Sequence, residues 1–199
     1  VLAAPGEVTL IPVGPLTNIA LALRLEPRII PAIKAITLMG GSLTDGNMTP
    51  AAEFNTLADP HAAQIVFESG TPIAMFGLNV TETMFVMPND LRRVKTWTTK
   101  AGKFLGDVLQ HSIDSHTLWW GYPGASMHDP CPIIYLLQPK LFEMKEMYVH
   151  VETQEGVNFG RTTGDPKGRL GRKPTTKVAV KADVHAVIEF MLSRLETLA

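Results

Sequence analysis

Met127-His128-Asp129-Pro130 sets an imidazole beside a carboxylate. Histidine can take or give a proton near neutral pH, and aspartate can offer oxygen to a hard cation. Both residues also have plainer uses. Asp129 can cap a helix that Pro130 begins, and His128 can be a packed side chain. A second group, Met39-Gly40-Gly41, Asp45-Gly46-Asn47 and Glu53-Phe54-Asn55, flanks one carboxylate with two amides. Such a set supplies the donors and acceptors that a polyhydroxylated sugar requires, although a solvated loop with Asx-turns uses the same residues. A third group, Val13-Gly14-Pro15-Leu16-Thr17-Asn18, can bring backbone close to a ligand or simply turn the chain. Gly40-Gly41 lacks the spaced glycine fingerprint of a dinucleotide site. Cys131, the single cysteine, reads as a small buried hydrophobe rather than a nucleophile paired with His128.

The elements around these residues place all three groups in loops. Val8–Pro12 is a short β-branched run, and Leu16, Ile19, Ala20 and Leu23 follow at helical spacing. The strand-helix step repeats with Ala35–Met39, then with a helix capped by Asp59, begun by Pro60 and followed by Gly70. A third strand is expected over Pro72–Gly77. The pattern from Pro88 to Trp120 is helical, with Phe104, Leu105, Val108, Leu109 and Ile113 as its apolar face. A helix is expected to start at Pro130 and run to Leu137. Tyr148–Val151 and Thr176–Val180 read as strands flanking a basic, Gly-rich segment. The final helix is capped by Asp183 and carries Val184, Val187, Ile188, Met191, Leu192, Leu195 and Leu198. Leu2-Ala3-Ala4 before Pro5-Gly6 resembles the tail of a helix, so the chain is expected to begin inside a larger fold. Repeated strand-helix steps imply an α/β fold, Rossmann-like, with a mainly parallel sheet flanked by helices. Residues 1–199 read as one domain. Ligands of such sheets bind outside the carboxyl ends of the strands, where the polar groups fall.

Composition narrows the partners. The chain has 199 residues, 45% hydrophobic and 19% charged, with a formal net charge of −1. That balance gives no electrostatic footprint for nucleic acid or an anionic membrane, and no apolar run approaches the ~20 residues needed to span a bilayer. One cysteine fits a reducing, cytoplasmic setting. Arg161, Lys167, Arg169, Arg172, Lys173 and Lys177 read as a solvated basic face, and Trp119, Trp120 and Tyr122 as core or lid residues.

Taken together, these segments resemble one family. VTLIPVGPLTNIALAL (Val8 to Leu23) is similar to the signature of the inosine/uridine-preferring nucleoside hydrolases. MGGSLTDGNMTPAAEFNTLADPHAA (Met39 to Ala63) resembles their ribose-binding segment, MHDPCPI (Met127 to Ile133) the segment with their last calcium ligand, and GRTTGD (Gly160 to Asp165) their late hairpin. The resemblance implies the nucleoside hydrolase fold, incomplete at its N-terminus, and hydrolysis of a ribonucleoside to ribose and free base. It implies a calcium ion that holds a water and the ribose 2′- and 3′-hydroxyls. The metal ligands implied here are the Val13 carbonyl and the Asp129 carboxylate. Asn47, Glu53 and Asn55 would bind ribose hydroxyls, with Met39 and Phe54 packed about the sugar. His128 would give a proton to the leaving base, and His116, Trp120 and Tyr122 fall where the family recognises the base. A role in purine or pyrimidine salvage and a homo-oligomer, dimer or tetramer, are implied as well.

The family's Asp-rich motif, D-x-D-P-G-x-D-D, has no counterpart in these residues. The resemblance therefore covers the C-terminal two-thirds of the family's domain, and an open sheet edge with self-association is expected. The alternative expectation is a non-catalytic remnant or sugar-binding module.

Overall fold

The computed structural model describes residues 1–197, so Leu198, expected on the last helix, lies outside them. In chain order the first half contains β1 (Thr9–Leu10), α1 (Thr17–Leu25), β2 (Ala35–Met39), α2 (Phe54–Ala58), α3 (Pro60–Phe67), β3 (Ile73–Phe76) and α4 (Leu78–Thr81). The second half contains β4 (Phe85–Val86), α5 (Pro88–Val94), α6 (Lys100–Trp120), β5 (Ala125–Ser126), α7 (Pro130–Leu137), β6 (Phe142–Val151), β7 (Thr162–Asp165), β8 (Thr176–Ala182) and α8 (Val184–Glu196). The chain divides into two compact units, Val1–Val80 with Phe142–Lys181, and Thr81–Leu141 with Ala182–Ala199. No described helix is long and apolar enough to cross a membrane.

The first unit is built on a six-stranded sheet in the order β1-β2-β3-β8-β6-β7. β1, β2, β3 and β8 pair in parallel, and the β6–β7 hairpin adds an antiparallel edge. All four residues of β3 and four of the five of β2 are buried, as strands covered on both faces must be. Leu16, Ala20 and Leu23 on the α1 side pack with Ala62, Ala63, Val66 and Phe67 of α3, above Ile36, Leu38, Met75 and Val178 of the sheet. Each large side chain buried this way contributes about 1.5–3 kcal/mol. Asp59 caps α3 as its sequence implies, accepting the Ala62 N–H at 3.0 Å.

The expected strand over Val8–Pro12 contracts to Thr9–Leu10, both half-buried, because β1 is an edge strand with a partner on one side only. Residues 2–7 form turns rather than the end of a helix.

The second unit is mainly helical, with a two-stranded β4–β5 ribbon. The helical pattern over Pro88–Trp120 is two helices, not one. α5 ends at Val94, and Thr99 starts α6 by accepting the Gly102 N–H at 2.9 Å. The buried face of α6 also differs from expectation. Gly102, Gly106, Leu109 and Ile113 are buried, whereas Phe104 and Val108 are exposed. Small residues decide the face: a Cβ at Gly102 would lie 2.5 Å from the Trp97 Cβ, so the helix packs where it carries no side chain. Arg93 of α5 reaches Glu189 and Glu196 of α8 at 2.8 and 2.9 Å.

Candidate functional site

In the first unit the polar residues gather at the carboxyl end of β2. Met39, the last residue of the strand, is buried, and its N–H donates to Pro12 O at 3.0 Å. That bond places the exposed Val13 loop beside the strand end. Glu53 is buried just before α2 and caps it. Its carboxyl oxygens accept the N–H groups of Asn55 at 2.8 Å and Thr56 at 3.2 Å, and that of Gly41 at 2.8 Å. Asn55, also buried, donates from Nδ2 to Met39 O at 3.1 Å, which orients its amide. The exposed Asn47 accepts the Phe54 N–H at 3.0 Å, and the Phe54 ring stands half in solvent. Hydrogen bonds thus link Met39, Glu53 and Asn55, and join Asn47 to the neighbouring Phe54.

Thr162 and Gly41, neither given a role of its own by the sequence, hold this cluster. Thr162 of β7 accepts the Ser42 N–H at 2.8 Å and donates to Ser42 O at 2.7 Å. Gly41 adopts φ +68, and a Cβ there would meet Thr162 Oγ1 at 2.6 Å. Only glycine allows the loop to turn against β7 at that distance. The signal in the sequence was Gly160–Asp165, quoted for its family likeness but without a partner.

In the second unit His116, Trp120 and Tyr122 form one aromatic group. The His116 ring lies 5.0 Å from Trp120 and 6.3 Å from Tyr122, both edge-to-face, and Phe85 meets Tyr122 at 5.4 Å. Gly121, in the left-handed conformation, ends α6 and turns Tyr122 back toward it. Trp120 is 62% exposed, so neither it nor Trp119 is a core residue. Desolvation, with Glu82 nearby, raises the Tyr122 phenol.

His128 Nδ1 lies 2.8 Å from Thr81 Oγ1, and Thr81 is fully buried. Burial, reinforced by His116, lowers the His128 imidazole to about 4. It is therefore neutral at pH 7, whereas a donor of a full proton works best with a pKa near the working pH. Asp129 stands at the N-cap position of α7 but makes no side-chain capping bond. Desolvation raises its carboxyl even though the residue is exposed. Cys131 is buried and its thiol is pushed up to about 12, mainly by desolvation, as befits an inert side chain.

Calcium takes about 6–8 oxygen ligands. Among the described residues no group of three or more His, Cys, Asp or Glu side chains gathers as a metal site. Of the two ligands expected from the resemblance, Val13 belongs to the first unit and Asp129 to the second.

The family model for inosine-uridine preferring nucleoside hydrolases matches residues 1–189. The pyrimidine-specific ribonucleoside hydrolase RihB of Shigella flexneri is 41% identical over 182 residues, 92% of this chain and 58% of that protein. Its Escherichia coli counterpart matches to the same extent. This chain thus spans 58% of the length of these curated relatives. Among solved structures, a purine-preferring ribonucleoside hydrolase from Gardnerella vaginalis superposes with a TM-score of 0.90 at 34% identity, covering 98% of this chain and 62% of that one. A plant nucleoside hydrolase gives 0.92 at 29% identity, covering 98% and 64%.

Proposed function

This chain belongs to the inosine-uridine preferring nucleoside hydrolase family, and from that premise we propose that the protein hydrolyses the N-glycosidic bond of ribonucleosides. Water and the nucleoside give ribose and the free base: the bond from C1′ to the base nitrogen breaks, a C1′–O bond forms, and the base leaves with a proton. The observation that carries this reading is the family match over residues 1–189. Pyrimidine ribonucleosides are the first substrates to test, because relatives 41% identical are named pyrimidine-specific.

In this reading Asn47, Glu53 and Asn55 hold the ribose hydroxyls, with Met39 and Phe54 against the sugar ring. The buried Glu53, fixed by three backbone N–H groups, is suited to this because it need not reorganise when substrate arrives. Its acidic oxygens also favour the positive charge that grows on the sugar as the base departs. His116, Trp120 and Tyr122 receive the base. His128, neutral at pH 7, donates a hydrogen bond to the leaving base rather than a full positive charge.

Calcium belongs to the reading by family resemblance, with the Asp129 carboxylate and the Val13 carbonyl among its ligands. Because these make only part of a calcium shell, activation of water is assigned to none of the residues named. The test is release of ribose from uridine, cytidine and inosine, with and without a chelator. Failure to release ribose from any of them would sink the proposal.

A further inference from the structure

We propose that Asp59 is a positioning residue for the reaction: by accepting the Thr17 hydroxyl, it holds the Val13 turn in register with the sugar-binding segment. This rests on the functional reading above, which gives the Val13 carbonyl a place in the site. Thr17 Oγ1 donates to Asp59 Oδ2 at 2.6 Å, across 42 residues of sequence. That is the length of a hydrogen bond to an ionised carboxylate, roughly twice as strong as one between neutral groups. The other oxygen, Oδ1, accepts the Ala62 N–H and caps α3. Each carboxyl oxygen therefore has its own task, and the two can be separated by mutation.

The start of α1 depends on this bond. Its N-cap is Leu16, whose side chain cannot accept a hydrogen bond. Asn18 Oδ1 accepts the neighbouring Ile19 N–H, which anchors the turn to nothing beyond itself. Leu16, Ala20 and Leu23 pack with Ala62, Ala63 and Val66 of α3, but apolar burial is not directional and does not set the register between two helices. The Thr17–Asp59 bond does, because it joins the first residue of α1 to the N-cap of α3.

The Val13 turn is short and clamped at both ends, all within the first unit. At one end the Met39 N–H donates to Pro12 O at 3.0 Å, and at the other Thr17 binds Asp59. Val13, Gly14, Pro15 and Leu16 lie between. A Cβ added at Gly14 would meet nothing within 4 Å, so packing does not hold the turn at its middle. Both clamps reach residues that border the sugar segment. Met39 ends β2 before it, and Asp59 follows α2, whose cap is Glu53 and whose second residue is Asn55. Without the Asp59 clamp the turn is free at one end, and a misplacement of about 1 Å in a reacting site can lower the rate by on the order of 10²-fold.

Thr17→Val removes the hydroxyl at nearly constant shape and leaves the cap of α3 in place. Measured on whichever of uridine, cytidine and inosine the wild type hydrolyses, kcat/KM should fall about tenfold or more. Thr17→Ser should restore it, and amide hydrogen exchange at residues 13–18 should quicken in Thr17→Val only. On an Asp59→Ala background, Thr17→Val should add no further loss, as for two partners of one bond. Asp183→Ala, which removes the cap of α8, is the control: it should lower the melting temperature and leave kcat/KM unchanged. Wild-type kcat/KM or unchanged exchange in Thr17→Val overturns this inference alone. So does an equal loss in Thr17→Ser or in Asp183→Ala, or an undiminished further loss on the Asp59→Ala background. Release of ribose from none of the three nucleosides by the wild type overturns the functional reading, and the positioning role with it.

Discussion

The Glu53 carboxyl accepts the Gly41 N–H at 2.8 Å across twelve residues of sequence, joining the loop after β2 to the first turn of α2. The same group caps the helix through Asn55 and Thr56, so one buried side chain positions both halves of the candidate sugar site. Glu53→Gln puts an NH2 group where an acceptor is needed. A loss of about 1–3 kcal/mol is expected in urea unfolding. An unchanged midpoint would show that these bonds do not hold the loop.

Gly41→Ala should be more damaging than a left-handed conformation alone explains. Thr162 is anchored to both the N–H and the carbonyl of Ser42, so its hydroxyl cannot retreat from a new Cβ 2.6 Å away. Overpacking of this kind costs roughly 1–3 kcal/mol beyond the ~1–2 kcal/mol of left-handed strain. Gly121→Ala is the control, with φ +67 but nothing within 4 Å of the added atom. Comparable losses at the two positions would refute the role given to Thr162.

Asp59 should make part of the stability pH-dependent. Thr17 Oγ1 donates to it at 2.6 Å, and this bond, followed by the Ala62 N–H, lowers its carboxyl below the ordinary value. A carboxyl lowered on folding stabilises the protein above its unfolded pKa of about 3.9, and that gain is lost as pH falls through the folded value. Asp59→Asn keeps a good cap but removes the titration. The wild type should be the more stable at pH 7, by about 1 kcal/mol or less, with the gap closing below about pH 4. A gap that persists unchanged into acid would contradict the assignment.

Asp129→Asn separates ligand from cap. Because Asp129 makes no capping bond, stability should change by no more than about 0.5 kcal/mol. If it is a calcium ligand, ribose release should fall by about 10–100-fold or more, and added calcium should protect the variant less against heat. Wild-type release of ribose by the variant would remove Asp129 from the site.

The α/β class, the β2 and β3 strands and the Asp59 and Asp183 caps were legible in the sequence, because each depends on local pattern. β-branched apolar runs make buried strands, and an acidic residue before a helix finds an N–H three residues on, as Asp183 does with Ala186. The family likeness was legible too, in segments that keep their order from Val8 to Asp165. Two things were decided only by tertiary structure. Hydrophobicity pointed to Phe104 and Val108, yet α6 buries Gly102 and Gly106, because close packing rewards the absence of a side chain as well as its apolar character. Likewise nothing in the string ties Thr162 to Ser42, 120 residues away, or Ser126 to His116 across a turn. The Ser126 bond forms where strand pairing leaves an amide without a partner, and the Ser42 bonds where β7 meets the loop after β2; both are properties of the folded chain.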